Sequence, residues 1–318
     1  MAITPASASH PLPVLLDTDI GTDIDDVYAL ILAAVSPELA LRAVTTVNND
    51  VILRARIARC VLDLLGRTDV PVYAGLADSL TPEERRGWMG HEGQGIDLSA
   101  VTDFLEPAVA PARIAHHAEE AAAAGTPLTV FTIGAMTNLA VALRDYPDAT
   151  RTIGQVIAMG SSFTGYGEEQ AQMEHNIACD PVAADIVLRS GLPVTLVGLN
   201  VTRQTTMTAA DVDALETIGG PLAQALVGMH RVWFQRIQQD RSPMHDGLAV
   251  ALPIDPSLVT LEPVTARVET SGPRRGHTIC LPPDENAPVC HFAVSVDVPR
   301  YQSLLLDRVR EAVYRAAH

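Results

Sequence analysis

A chain of 318 residues with 22 basic and 38 acidic side chains, a formal charge of −16, can bury a sizeable core and repels nucleic acid, whose phosphates need clustered cations. All of those basic residues are arginine, which excludes lysine chemistry such as a Walker-A phosphate loop or a Schiff base. No apolar run is long enough to span a membrane, and Cys60, Cys179, Cys280 and Cys290 lack zinc-like spacing, so they read as core residues.

Residues 1–13, rich in Ala, Ser and Pro, have no basic segment followed by an apolar one, so they read as a loose tail and not a signal peptide; the cytoplasm is the default compartment. Residues 14–318 then read as one domain. Val14-Leu15-Leu16 predicts a buried strand, and residues 27–34 a helix packed on one face. Further strands are expected in "LRAVTTVNND", "LTVFTIGAMTN", "QVIAMGSS" and "PVTLVGLNVT", with helices over 57–65, 112–124 and 181–190. Residues 68–104 loosen into a loop, and the glycine-rich "RRGWMGHEGQGID" within it is expected close to the site. Residues 207–239 read as mostly helical, 264–298 as a hairpin or edge strands, and 301–317 as a closing helix. Strand alternating with helix implies an α/β fold, a mostly parallel central sheet with helices on both faces.

Between the first strand and helix, residues 17–26 hold five aspartates and no basic residue. Such crowding raises carboxyl pKa values unless a cation or water screens the charge, so the stretch is either a solvated loop or a metal site. It falls where a strand ends and a helix begins, the usual ligand crevice of an open α/β sheet; helix capping accounts for one or two aspartates. Glu174 and Asn176 stand two apart, so in an extended segment both face one way and can grip two sugar hydroxyls, unless the segment is a surface turn. His245-Asp246 and Thr137-Asn138 each precede a helix, where capping is the simpler reading for either pair alone.

The segments "DTDIGTDIDDVYAL", "VTTVNND", "GAMTNLA", "AMG…MEHNIACDP" and "HDGLAV" appear in the order of the inosine-uridine-preferring nucleoside hydrolase family, which the chain resembles from about Val14 to its last helix. The resemblance implies a single-domain, Rossmann-like nucleoside hydrolase fold and a calcium-dependent N-ribohydrolase. Such an enzyme takes a small nucleoside, not nucleic acid or membrane, and works as a homo-oligomer. It implies that Asp19, Asp26 and Asp246 hold Ca²⁺ by their carboxylates and Thr137 by its backbone oxygen. Asp19 would be the general base toward a calcium-bound water, Asp25, Glu174 and Asn176 would grip the ribose, and His245 would protonate the leaving base. The aspartate turn is two residues longer than the family's and lacks its proline, which makes Asp23 an extra residue, expected to cap the turn or, failing that, to approach the metal. Asp50, where many members carry asparagine, would face the 2′-hydroxyl and make the ribose pocket more acidic. Glu168 or Gln170 would serve the 5′-hydroxyl, and Trp233, with His230 and Phe234, forms either a wall for the base or core. The alternatives are a hydrolase of a specialised riboside and a non-catalytic calcium-dependent nucleoside binder; a phosphatase of the haloacid-dehalogenase type is disfavoured by the absence of lysine.

Overall fold

Strand β1 (Leu12–Thr18) is buried from Pro13 onward, as its apolar run requires, and occupies the middle of the sheet. The computed structural model describes residues 3–81, 88–101 and 108–318; the remaining parts of the loop expected over 68–104 lie outside the described residues. After β1 come α1 (Asp25–Val35), β2 (Leu39–Thr46), α2 (Val51–Leu64), β3 (Val72–Ala74), α3 (Ala110–Ala123), β4 (Thr129–Thr132), α4 (Thr137–Asp145), α5 (Pro147–Thr150) and β5 (Gln155–Met159). They are followed by β6 (Gln172–Met173), α6 (His175–Cys179), α7 (Pro181–Leu188), β7 (Val194–Val197), α8 (Leu199–Thr202), β8 (Thr206–Thr208), α9 (Ala209–Ile218) and α10 (Gly220–Ile237). The chain closes with β9 (Arg241–Pro243), α11 (His245–Ala251), β10 (Val259–Val268), β11 (His277–Leu281), β12 (Cys290–Val296) and α12 (Val298–Ala317).

The main sheet runs β3-β2-β1-β4-β5-β7-β12-β10-β11-β6. Neighbours from β3 to β12 are parallel, and β10, β11 and β6 add antiparallel pairs. Separate apolar cores cover the two faces, one built with α1, α2, α10, α11 and α12 and the other with α3, α4 and α7. Strand order reverses between β1 and β4, so the loops leaving their carboxyl ends splay apart and open a crevice there.

Several expected boundaries shift for local reasons. Helix α2 starts at Val51 because the Asp50 carboxylate accepts the Leu53 N–H at 2.9 Å. The helical stretch over 207–239 divides at Gly219 and Gly220, both at positive φ (79° and 88°). The expected hairpin is three strands, and β12 pairs with β7 in parallel, which joins it to the main sheet. The segment read as a loose tail is tied down where described: Thr4 N–H donates to Gln155 Oε1 (2.9 Å) and Ala6 N–H to the Pro253 carbonyl (2.8 Å). All four cysteines are free and buried. Among the described residues no helix is long and apolar enough to cross a membrane.

Candidate active site

The five aspartates between positions 17 and 26 divide into one structural group and four that face a cavity. Asp17 still belongs to the strand and is fully buried; its carboxylate accepts from Thr45 Oγ1 (2.6 Å) and Asn138 Nδ2 (2.7 Å). Burial nevertheless pushes it up to about 7. Asp19, Asp23, Asp25 and Asp26 line a cavity of about 540 Å³ together with Asp246 from the start of α11. Ile24, not Asp23, stands at the N-cap of α1, so Asp23 does not cap that helix start. Its carboxyl faces the cavity instead, held well above its usual range by burial and by Asp25 and Asp19.

Helices α1 and α11 pack together and each begins with an acid on the cavity side. Asp25 Oδ2 accepts the backbone N–H groups of His245 (3.0 Å) and Asp246 (3.3 Å), which locks the two helix starts in register. Asp26 accepts from the Thr18 hydroxyl. Oxygens of Asp25, Asp26 and Asp246, all buried, lie within 4.8 Å of one another. Burial pushes Asp25 up to about 7, and burial plus the neighbouring carboxylates push Asp26 and Asp246 well above the ordinary value. Two of the carboxylates expected to hold a metal, Asp26 and Asp246, belong to this group, together with Asp25.

Asp19 follows the end of β1 and is held from behind. A Cβ on Gly134 would sit 2.8 Å from Asp19 Oδ1 and 2.9 Å from its backbone nitrogen, so only glycine permits this approach. Gly134→Ala is therefore expected to displace the Asp19 carboxylate and cut kcat by about 10²-fold with the fold retained, as read by steady-state kinetics beside circular dichroism.

Glu174 and Asn176 reach the opposite wall by a route other than strand alternation. Glu174 is the N-cap of α6, accepting from the N–H groups of Asn176 (2.9 Å), Ile177 (3.1 Å) and Ser161 (3.1 Å), and Asn176 lies within that helix. Asn176 Nδ2 donates to the carbonyls of Ile133 (2.9 Å) and Met159 (3.2 Å), leaving its oxygen free of these bonds. His245 Nδ1 and Thr202 Oγ1 are hydrogen-bonded at 2.7 Å. Burial and the guanidinium of Arg203, also on the cavity wall, push His245 down to about 4, so its ring is neutral at pH 7.

Of the other expected site residues, Asp50 is exposed and occupied as the α2 cap, so it adds no acidity to the cavity. Thr137 opens α4, buried, with its hydroxyl donating to Asp180 Oδ2 (2.7 Å), a bond that leaves its backbone oxygen uninvolved. Trp233 donates its indole N–H to Ser242 Oγ (2.9 Å) and stacks on His91 behind the aspartate turn. His230 hydrogen-bonds Tyr28 (3.1 Å) and packs against Phe234, so these aromatics are core, not a wall for the base. Glu168 pairs with Arg267 (3.1 Å) and Arg274 (2.9 Å) at the surface, and Gln170 is exposed beside it.

Arg203 lines the cavity without having been singled out in the sequence, whereas Trp88 and Met89 line it from the glycine-rich segment expected near the site. Arg54 was also missed. It lies on the buried face of α2, three residues after Val51 and four before Ala58, and an arginine on that apolar stripe is the signal that could have found it.

Residues 14–303 match the family described as inosine-uridine preferring nucleoside hydrolase. The probable uridine nucleosidase 2 of Arabidopsis thaliana is 33% identical over 94% of this chain and 98% of that protein. The pyrimidine-specific ribonucleoside hydrolase RihA of Enterobacter sp. (strain 638) is 31% identical over 94% of this chain and 98% of its own. Among solved structures, a purine-preferring ribonucleoside hydrolase from Gardnerella vaginalis has a TM-score of 0.80 at 31% identity, covering 95% of this chain and 99% of that one. With this match running from β1 into α12, around a cavity walled by aspartates, the chain belongs to the inosine-uridine preferring nucleoside hydrolase family.

Proposed function

We propose that the protein hydrolyses the N-glycosidic bond of ribonucleosides in this cavity, with calcium held on its acid wall. The observation that carries this reading is the meeting of the four turn aspartates and Asp246 with Glu174 and Asn176 around one space of nucleoside size. The donors fit a hard cation: they are oxygens only, buried, and close enough that their mutual repulsion calls for a positive charge. Asp26 and Asp246 would hold the ion. Asp25 has one oxygen committed to backbone N–H groups and its other left for the ion or a ribose hydroxyl.

A divalent cation bound there supplies Lewis acidity toward water and hydroxyl oxygens. Asp19 takes the proton of the water that attacks C1′. The C1′–N bond breaks with its electron pair leaving on the base, and the surrounding carboxylates stabilise the positive charge that grows on the ribosyl group. Glu174 and Asn176 orient the sugar hydroxyls. His245, neutral at pH 7 and hydrogen-bonded to Thr202 through Nδ1, would offer its ring N–H as a hydrogen-bond donor that stabilises the charge on the departing base, with solvent supplying the proton the base finally takes up. His245→Ala is then expected to slow inosine or uridine at least about tenfold more than p-nitrophenyl riboside, whose leaving group needs no proton. Equal losses on both would remove His245 from leaving-group chemistry.

Since Asp50 is engaged as a helix cap, the motive for a specialised riboside weakens, and ordinary ribonucleosides are the substrates to test. Ribose release from a panel of purine and pyrimidine nucleosides, with calcium and after chelation, is the experiment. Chelator-sensitive release from at least one nucleoside is expected; a protein that binds calcium yet is inert on the whole panel would be a binder and not a hydrolase.

A further inference from the structure

Arg54 is fully buried, yet among the described residues no carboxylate hydrogen-bonds its guanidinium. A cation in the interior normally needs a close anion or a complete set of acceptors. Arg54 has the acceptors: Nε donates to the Asn48 carbonyl (2.8 Å), Nη1 to the carbonyls of Ile20 (2.9 Å) and Asp19, and Nη2 to Thr22 Oγ1 (3.2 Å). Three of these groups belong to the aspartate turn. The fourth belongs to the turn after β2, where Asn48 and Asn49 both adopt left-handed backbone (φ 70° and 58°).

We propose that Arg54 is a positioning residue that clamps these two turns from beneath and so sets the affinity of the acid wall for a divalent cation. The inference rests on the cation site proposed above. The turn has no proline to restrict its backbone, and Gly21 at φ 113° is pressed so closely on α2 that a Cβ there would meet Ile57 Cδ1 at 2.6 Å. A planar fork with several donors in fixed directions can hold such a loop, whereas an ammonium cannot reach the same acceptors together. Its charge is balanced by the field of the aspartates beyond the turn, so it also offsets part of their mutual repulsion.

The clamp extends to the cavity mouth. Thr22 Oγ1 donates to Glu92 Oε1 (3.1 Å), and Glu92 accepts the backbone N–H groups of Met89 and Gly90 (2.7 Å each). The Trp88 ring lies 5.7 Å from Arg54 Cζ, within cation–π range. Calcium binding should therefore be readable in tryptophan fluorescence, with Trp88→Phe identifying the reporter.

The experiment uses the full chain stripped of metal, and titrates calcium into wild type, Arg54→Lys, Arg54→Met and Thr22→Val by calorimetry and fluorescence. Both arginine variants are expected to raise the calcium Kd at least about tenfold, the usual size of an effect exerted on ligands through their supports. Lysine should not restore it, and Thr22→Val should weaken binding by a few-fold. Arginine variants that keep the wild-type Kd within about twofold would overturn the clamp while leaving the cation site standing. A wild type that binds no calcium overturns the site and this inference with it. Should the arginine variants fail to fold, Thr22→Val decides: unchanged affinity there overturns the proposal.

Discussion

Asp19→Asn is expected to lower kcat on every nucleoside the protein cleaves by about 10²–10⁴-fold, the range for loss of a positioned general base. The amide matches the carboxylate in size, and the supports of Asp19 are backbone groups: its carbonyl accepts from Arg54, and Gly134 leaves room beside its nitrogen. The fold and the turn should therefore survive, and what is removed is the ability to accept a proton. Steady-state kinetics beside thermal unfolding check this. A variant within about tenfold of wild type would assign the base elsewhere, with Asp23 and Asp25 on the same wall the next residues to change.

Removing the metal should make stability depend on pH in a particular direction. Without a cation, Asp17 and Asp25 sit up at about 7 and Asp23, Asp26 and Asp246 well above their ordinary value, chiefly because burial disfavours the charged form. A carboxyl raised in the folded state contributes stability that is complete below its unfolded pKa, near 4, and disappears as pH rises through the folded value. Chelated protein is thus expected to melt progressively lower between pH 5 and pH 8. His230 opposes this from the acid side: burial lowers it to about 4, so the unfolded chain binds the extra proton and stability falls as pH drops from its unfolded pKa, near 6.5, toward 4.

Calcium bound on the proposed site would need the ionised carboxylates, so its binding would release protons and its apparent affinity should rise by about tenfold per pH unit for each proton displaced. At pH 8, calcium at about a hundred times its Kd should add roughly 3 kcal/mol, or about 5 °C in Tm for a chain of this length. The increment should shrink as pH falls to 5. A Tm indifferent to calcium at pH 8 would remove the cation from the acid wall.

Much of the architecture and part of the site could be read before any coordinates, because both are written in short-range pattern. The apolar run at Val14, the helix-length stretch after Asp26 and the β-type runs between Ala-rich helices are enough for a parallel α/β sheet. Asp25 and Asp26 were legible because they stand at the first turn of the helix that follows β1, a position that local sequence dictates, whereas His245 and Asp246 were picked out by the family resemblance. Glu174 and Asn176 were found for the wrong geometric reason, since a cap and its helix took the place of an extended segment.

What local pattern could not assign is which polar group faces the cavity and which is consumed by the fold. Asp17 and Asp19 differ by two positions, yet one ends up under Thr45 and Asn138 and the other on the wall, because β1 stops at Thr18. Asp50 went to a helix cap and Trp233 to Ser242. Arg54 and Arg203 came to the site from segments with no motif. Periodicity and turn chemistry act over a few residues and so specify elements and their ends, whereas the partner of a buried polar group is chosen across the sheet, where burial compels it to bond with whatever the packing brings near.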